Sequence, residues 1–191
     1  MPKTATQKAP RKNARNTILD VAETIIVESG TAALTVDAVA LVTGIGKGGV
    51  LYHFPFKADM LKALLQRQCD RYEQEIAKGQ AERGGGLRAW FESFIELALN
   101  APHDEDKLAM GVFGATAFEP KLHEPTLDYY NRRLEMIRDN CENPGLAMIV
   151  VMAMEDLIAQ SAQGCSPLDD RARESVREAL GPLLDQIVPK Q

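Results

Sequence analysis

The pattern that most limits what this chain can become is the spacing of its apolar residues, which recur every three or four positions and nowhere alternate strictly with polar ones. Ile18, Ala22, Ile25 and Ile26 form one such stripe, and Leu168, Ala172, Val176, Ala179, Leu180, Leu183 and Ile187 form another. That period places apolar side chains on one face of an α-helix, whereas a half-buried strand needs a period of two. Glycine and proline punctuate the stripes. Ser29-Gly30, His53-Phe54-Pro55, Gly79, Gly84-Gly85-Gly86, Pro102, Pro120, Pro125, Asn143-Pro144 and Ser166-Pro167 each stop or start a segment, because glycine takes the left-handed C-terminal conformation and proline is tolerated only in the first helical turn. The expected fold is all-α, with about nine helices and no strand.

Length and composition remove several classes. With 191 residues, 45% of them apolar and 26% charged, the chain is long enough for a sizeable core and unlike a disordered one. The longest uninterrupted apolar run, Leu146 to Met154, has nine residues, about half of the ~20 a membrane-spanning helix needs. No membrane span is expected, and the basic, polar start with no apolar segment behind it predicts no secretory signal and a cytoplasmic location. Cys69, Cys141 and Cys165 are odd in number with no C-x-x-C pair, and His53, His103 and His123 are scattered. A disulfide framework, a metal site and a cofactor are not expected. Nor is an enzyme, since no nucleophile with a base, paired carboxylates or phosphate loop stands out; Glu155-Asp156, the nearest pair, is read as a polar edge facing solvent or an arginine.

The net charge of −5 conceals an asymmetry: residues 1–60 carry +2 and the remainder −7. Lys3, Lys8, Arg11, Lys12 and Arg15 precede any acidic residue, so residues 1–14 read as a flexible basic arm suited either to solubility or to phosphates. Behind the arm, a helix ends at Ser29-Gly30. Thr35 then stands where its hydroxyl can accept from an unpaired amide of a second, short helix ending near Val42. Thr43-Gly44-Ile45 follows as a three-residue turn, and Lys47 to Tyr52 makes a further short helix before His53-Phe54-Pro55. Two short helices around a glycine-centred turn are a helix-turn-helix. Gly48 and Gly49, each costing a helix about 1 kcal/mol relative to alanine, would let that helix lie close to a groove wall. Tyr52, His53 and Lys57 can all donate to phosphate oxygens.

At this point the chain resembles the TetR family of bacterial transcriptional regulators. The resemblance lies in Gly-Ile-Gly-Lys-Gly-Gly-Val-Leu-Tyr-His-Phe-Pro-x-Lys over residues 44–57, preceded by Leu-Thr-x-x-x-Val-Ala and by Ile18-Leu19…Ala22…Gly30. It covers residues 15 to 61, about a quarter of the chain. It implies a three-helix DNA-binding domain at 15–60 and a ligand-binding and dimerisation domain at 61–191. Thr35 would then cap and reach a phosphate, Lys47, Gly48 and Gly49 would face the major groove with Lys47 reading guanine, and Tyr52, His53 and Lys57 would hold the backbone. Leu51 stands where many members carry another aromatic. Gly46 and Phe56 replace the usual serines, so both expected side-chain N-caps are missing.

In the second part, segments are expected at Phe56 to Lys78, Leu87 to Asn100, a short helix opened by His103-Asp104-Glu105-Asp106, one from Pro125 through Tyr129, Leu134 and Ile137 to Asn140, and two more at 144–163 and 167–188, with Gly181-Pro182 kinking the last. Residues 146–154 are apolar all round their helix, so they need cover on more than one side. A second copy of the chain meeting the last two helices is expected to supply it, giving a homodimer through a four-helix bundle; the alternative is a central helix buried within one subunit. The resemblance implies an effector pocket in this part, with Trp90, Phe91, Phe94, Met110, Phe113, Phe118, Tyr129, Met148 and Met152 as candidate lining and a low-charge interior suited to an apolar or aromatic small molecule. The expected function is a repressor released from a pseudo-palindromic double-stranded DNA operator by such an effector. The alternative is a cytosolic helical small-molecule-binding protein that does not act on DNA.

Overall fold

The computed structural model of the chain describes residues 11–100, 120–162, 165–166 and 168–188. Among them there are eight α-helices, two short 3-10 segments and no strand. The helices are α1 (Arg11–Ser29), α2 (Val36–Thr43), α3 (Lys47–His53), α4 (Lys57–Glu82), α5 (Gly86–Asn100), α6 (Glu124–Asn140), α7 (Pro144–Ala162) and α8 (Asp170–Ile187). The expected helix start at His103-Asp104-Glu105-Asp106 lies outside the described residues. Two compact units result, Met1–Leu64 and Leu65–Gln191, with the boundary inside α4. The helix α1 begins at Arg11, so residues 11–14, expected in the arm, belong to it.

The first unit is built on the α1 stripe. Ile18, Leu19, Ala22 and Ile26 are buried with Leu34, Val39, Val50, Phe54, Met60, Leu61 and Leu64, and each large side chain so removed from water contributes about 1.5–3 kcal/mol. Local chemistry sets the turn between α2 and α3. Thr35 accepts from the Ala38 amide at 3.0 Å, and Gly44 ends α2 at φ 68°, its amide donating to the Ala40 carbonyl. The Thr43 hydroxyl donates to the Val39 carbonyl at 2.7 Å and accepts from the Ile45 amide at 3.1 Å, so both sides of the turn are tied to one side chain.

The second unit packs α5 against α7 and α8, and α6 against α7. Its core joins Phe91, Phe94, Ile95, Ala98 and Leu99 to Ile137, to Ala147, Val150, Val151, Met154, Leu157 and Ile158, and to Leu180, Leu184 and Ile187. In α7, 18 residues (Pro144–Ser161) with a mean hydropathy of 1.3 are long and apolar enough to cross a bilayer, which the nine-residue run understated. Its inner face is spent on this core, while Ile149 and Met152 are 65% and 70% exposed on the outer one.

Two boundaries differ from expectation. Gly79 does not end α4, which runs to Glu82. A Cβ there would meet Ser93 Oγ at 2.8 Å, so the glycine serves the close approach of α4 and α5 rather than a break. The turn falls at Gly84, Gly85 and Gly86, at φ 88°, 82° and 84°, a region side chains disfavour. The last helix is capped by Asp169, whose carboxylate accepts from the Ala172 amide at 2.8 Å, not by Ser166; Ser166 Oγ instead accepts from Arg173 at 3.1 Å. Pro182 sits within α8 without ending it. Asn143 does cap α7, accepting from the Leu146 amide at 3.1 Å.

Candidate nucleic-acid interface and ligand cavity

The helix α3 is anchored by one residue, Val50, fully buried in the first unit, which leaves most of its surface outward. Lys47, Gly48, Leu51 and Tyr52 are exposed and His53 is half-buried. Tyr52, at 71% exposure, is no core aromatic; its ring meets His53 edge-on at 5.1 Å between centroids. Lys47 Nζ lies 2.8 Å from Asp37 of α2, so the expected base reader is steadied by a carboxylate on the same surface. Lys57 Nζ donates to the Thr31 carbonyl, which engages its ammonium within the first unit.

The two glycines of α3 differ. Space beside Gly48 is open, whereas a Cβ on Gly49 would stand 2.8 Å from Ile45 Cγ2. Gly49 therefore has a reason inside the fold, the packing of Ile45 against α3. That contact also holds the start of α3, where Gly46 supplies no side-chain cap. At α4 the missing serine is offset from the other direction, because the Phe56 amide donates to Asp59 Oδ2 at 2.9 Å, the reciprocal half of a capping box.

In the second unit, a cavity of ≈ 230 Å³ opens between α4, α5 and α6, lined by Glu73, Ile76, Ala77, Gln80, Trp90, Tyr129, Arg132, Arg133 and Met136. At its wall stands Arg133, only 6% exposed. Its guanidinium lies over the rings of Tyr129, Phe94 and Trp90 at 4.2, 4.5 and 5.5 Å, an arrangement in which ring quadrupoles stabilise the cation. It donates to Glu155 of α7 and to the Tyr129 hydroxyl, and the Tyr130 hydroxyl donates to the other Glu155 oxygen at 3.1 Å. Burial pushes the Glu155 carboxyl up and the Arg133 guanidinium down from their ordinary values, each held back by the other's charge. Arg132 pairs with Glu73 at 2.7 Å on the cavity rim.

The family profile described as "Bacterial regulatory proteins, tetR family" matches residues 18–64, and that described as "Tetracyclin repressor-like, C-terminal domain" matches residues 88–185. The chain belongs to the TetR family. TtgW of Pseudomonas putida, an uncharacterized helix-turn-helix-type transcriptional regulator, is 30% identical over 95 residues, 50% of this chain and 67% of its own. Among solved structures, a transcriptional regulator of Saccharomonospora viridis in complex with choline matches with a TM-score of 0.64 at 20% identity, over 94% of this chain and all of its own. The multidrug binding protein EbrR complexed with malachite green matches with a TM-score of 0.69 at 20% identity, over 92% and 98%. These likenesses establish the fold. This is a TetR-family transcriptional regulator with a helix-turn-helix DNA-binding domain, and the alternative of a helical carrier without one falls.

The ligand candidates scatter. Trp90 and Tyr129 line the cavity. Phe91 and Phe94 are wholly buried in the core behind it, and Met148 packs partly buried against that core. Met152 faces outward and lines no cavity on this side of the unit. Met110, Phe113 and Phe118 lie outside the described residues. The cavity lining carries Arg133, Arg132 and Glu73, none of which the TetR resemblance or the aromatic count singled out. A signal was present: Tyr129, Arg133 and Ile137 fall on the buried stripe of α6, where Leu134 was expected, and Glu155 interrupts the apolar α7. A lone arginine on one buried face and a lone acid on another are natural partners.

Proposed function

We propose that this regulator binds a pseudo-palindromic operator as a homodimer, represses by occupying it, and is released when a small molecule enters the cavity between α4, α5 and α6. The observation that carries the reading is the outward face of α3: a seven-residue helix anchored by Val50 alone, with Lys47, Gly48, Leu51 and Tyr52 turned to solvent. Such a helix can enter a major groove, with Lys47 at base edges and Thr35, Tyr52, His53 and Lys57 toward phosphates. The dimer would form on the outer faces of α7 and α8, where Ile149 and Met152 are exposed beside a groove shared with Leu157, Leu168, Val176 and Leu183. The action is binding without catalysis, in the cytoplasm where the DNA is. An effector changes affinity by favouring a different spacing of the two reading heads.

Gel-shift titration on duplexes selected from random sequence tests this. Lys47→Ala is expected to relax specificity, and Lys57→Ala to weaken all sequences alike. If both variants bind as the parent does, the assignment of the interface is wrong.

A further inference from the structure

We propose that the effector is a planar aromatic carboxylate, gripped by Arg133 in exchange for Glu155. The inference rests on the reading of the α4–α5–α6 cavity as the effector pocket and adds the chemistry of what enters it. Size comes first: ≈ 230 Å³ is below the ~300–1,000 Å³ of pockets for drug-sized ligands, and suits one or two rings. The wall that meets those rings is apolar over Trp90, Tyr129, Ile76 and Met136, and two of these are themselves aromatic and can stack on a ring.

The polar groups on the wall are mostly donors. Arg133 has five N–H groups, and its contacts with Glu155 and the Tyr129 hydroxyl engage only part of them. Having accepted from Arg133, the Tyr129 oxygen still has its own proton to give. Arg132 adds a second cation at the rim, and Glu73, the one acid among the described lining residues, already answers it at 2.7 Å. A cationic ring would face two arginines, and a neutral one would meet the same donors without the charge that strengthens each hydrogen bond.

Exchange is feasible because Arg133 does not depend on Glu155 for its position. The rings of Tyr129, Phe94 and Trp90 surround the guanidinium, the farthest centroid at 5.5 Å, and the Tyr129 hydroxyl accepts from it, so it stays in place when one carboxylate replaces another, and its N–H groups can offer the two-point fork a carboxylate fits. Glu155 lies behind it on α7 rather than on the cavity wall, and Tyr130 keeps a hydrogen bond to the carboxylate that is let go. The ligand's carboxylate therefore takes the place of a protein carboxylate on Arg133, and the cost falls on Glu155, which keeps its hydrogen bond from Tyr130; that cost is what Glu155→Gln removes.

The chain has one tryptophan, Trp90, on the cavity wall, so its fluorescence reports occupancy of this site. Full-length protein is titrated with benzoate, benzamide and benzylammonium, following Trp90 emission with calorimetry in parallel. Benzoate is expected to bind at least about tenfold more tightly than either analogue, a margin of ~1.4 kcal/mol. Glu155→Gln, which can still accept from Arg133 through its oxygen and donate to the Tyr130 oxygen through its amide nitrogen, removes the competing charge and is expected to tighten benzoate about tenfold and leave benzamide unchanged. Arg133→Met combined with Glu155→Gln, checked for folding by thermal melt, should erase the preference. If benzamide or benzylammonium moves Trp90 at equal or lower concentration, the carboxylate class is overturned and the pocket reading stands. If Glu155→Gln weakens benzoate, the exchange is overturned. If none of the three moves Trp90, both the class and the pocket reading fall.

Discussion

Removing Arg133 alone is expected to destabilise the protein more than removing Arg133 and Glu155 together. Arg133→Met deletes the counter-ion of a carboxylate whose side chain is 22% exposed, while the arginine itself is 5% exposed. Breaking a buried pair from one side costs about 3–5 kcal/mol, and the residual access of Glu155 to water puts the expectation near 3. In a chain of this length each kcal/mol moves the midpoint by about 2–4 °C, so the variant should melt roughly 6–12 °C below the parent at neutral pH. Arg133→Met combined with Glu155→Leu leaves no charge behind and should recover most of that loss, since apolar replacement of a buried pair is commonly neutral or better. The dependence on pH has a definite sign. Burial already raises the Glu155 carboxyl, and without Arg133 only the hydrogen bond from Tyr130 opposes it, so its folded value lies above its unfolded one. The penalty of the single variant is then present at neutral pH and shrinks as the pH falls through the folded value, where the acid protonates and needs no partner. Circular-dichroism melts of the three proteins at matched protomer concentration, at neutral and mildly acidic pH, measure all of this. A single variant within about 1 kcal/mol of the parent, or a double variant no more stable than the single one, would refute the reasoning.

Three further outcomes are expected. Asp37→Asn removes an exposed partner of Lys47, 74% accessible in its side chain, so stability should change by less than ~1 kcal/mol; anisotropy should show tighter binding to scrambled duplex and poorer discrimination of the selected site. Glu96 is held below the usual carboxylate range foremost by its hydrogen bond from Arg177, so the stability it gives is present above the unfolded value and lost as pH falls through the folded one. Glu96→Gln should thus melt slightly lower than the parent at neutral pH and converge with it in acid. Iodoacetamide should modify exposed Cys165 first and buried Cys69 last, because burial pushes the Cys69 thiol up to about 11 and the thiolate is the reacting form.

What was legible in the sequence was the chemistry that closes within a few residues. The Thr35 cap, the Gly44 turn and the Asn143 cap each involve partners three or four positions away, so type and spacing suffice to read them. Local chemistry misled where two answers were equally good, as when Ser166 and Asp169 both qualified to start the last helix and Asp169 prevailed. It also misled where tertiary contact overrode propensity: Gly79 reads as a break in isolation, but Ser93 pressing against α4 makes glycine the residue that permits an uninterrupted helix. The cavity was the least legible part. Arg133 and Glu155 stand 22 residues apart on different helices, and no period within either helix states that they meet. The short helix and its flanks were read more fully, since Lys47 to Lys57 is one short continuous stretch, although Gly49 packs closely against Ile45.

The central claim is that two copies of α3 read one duplex together. It is tested most directly by titrating the protein onto a selected full site and onto a duplex holding half of it, across a series of salt concentrations. The account predicts two protomers on the full site, a steep fall in affinity as salt rises, and binding to the half site weakened at least about a hundredfold, the scale separating specific from partly specific complexes. A half site bound as tightly by a single protomer, or an affinity indifferent to salt, would contradict it.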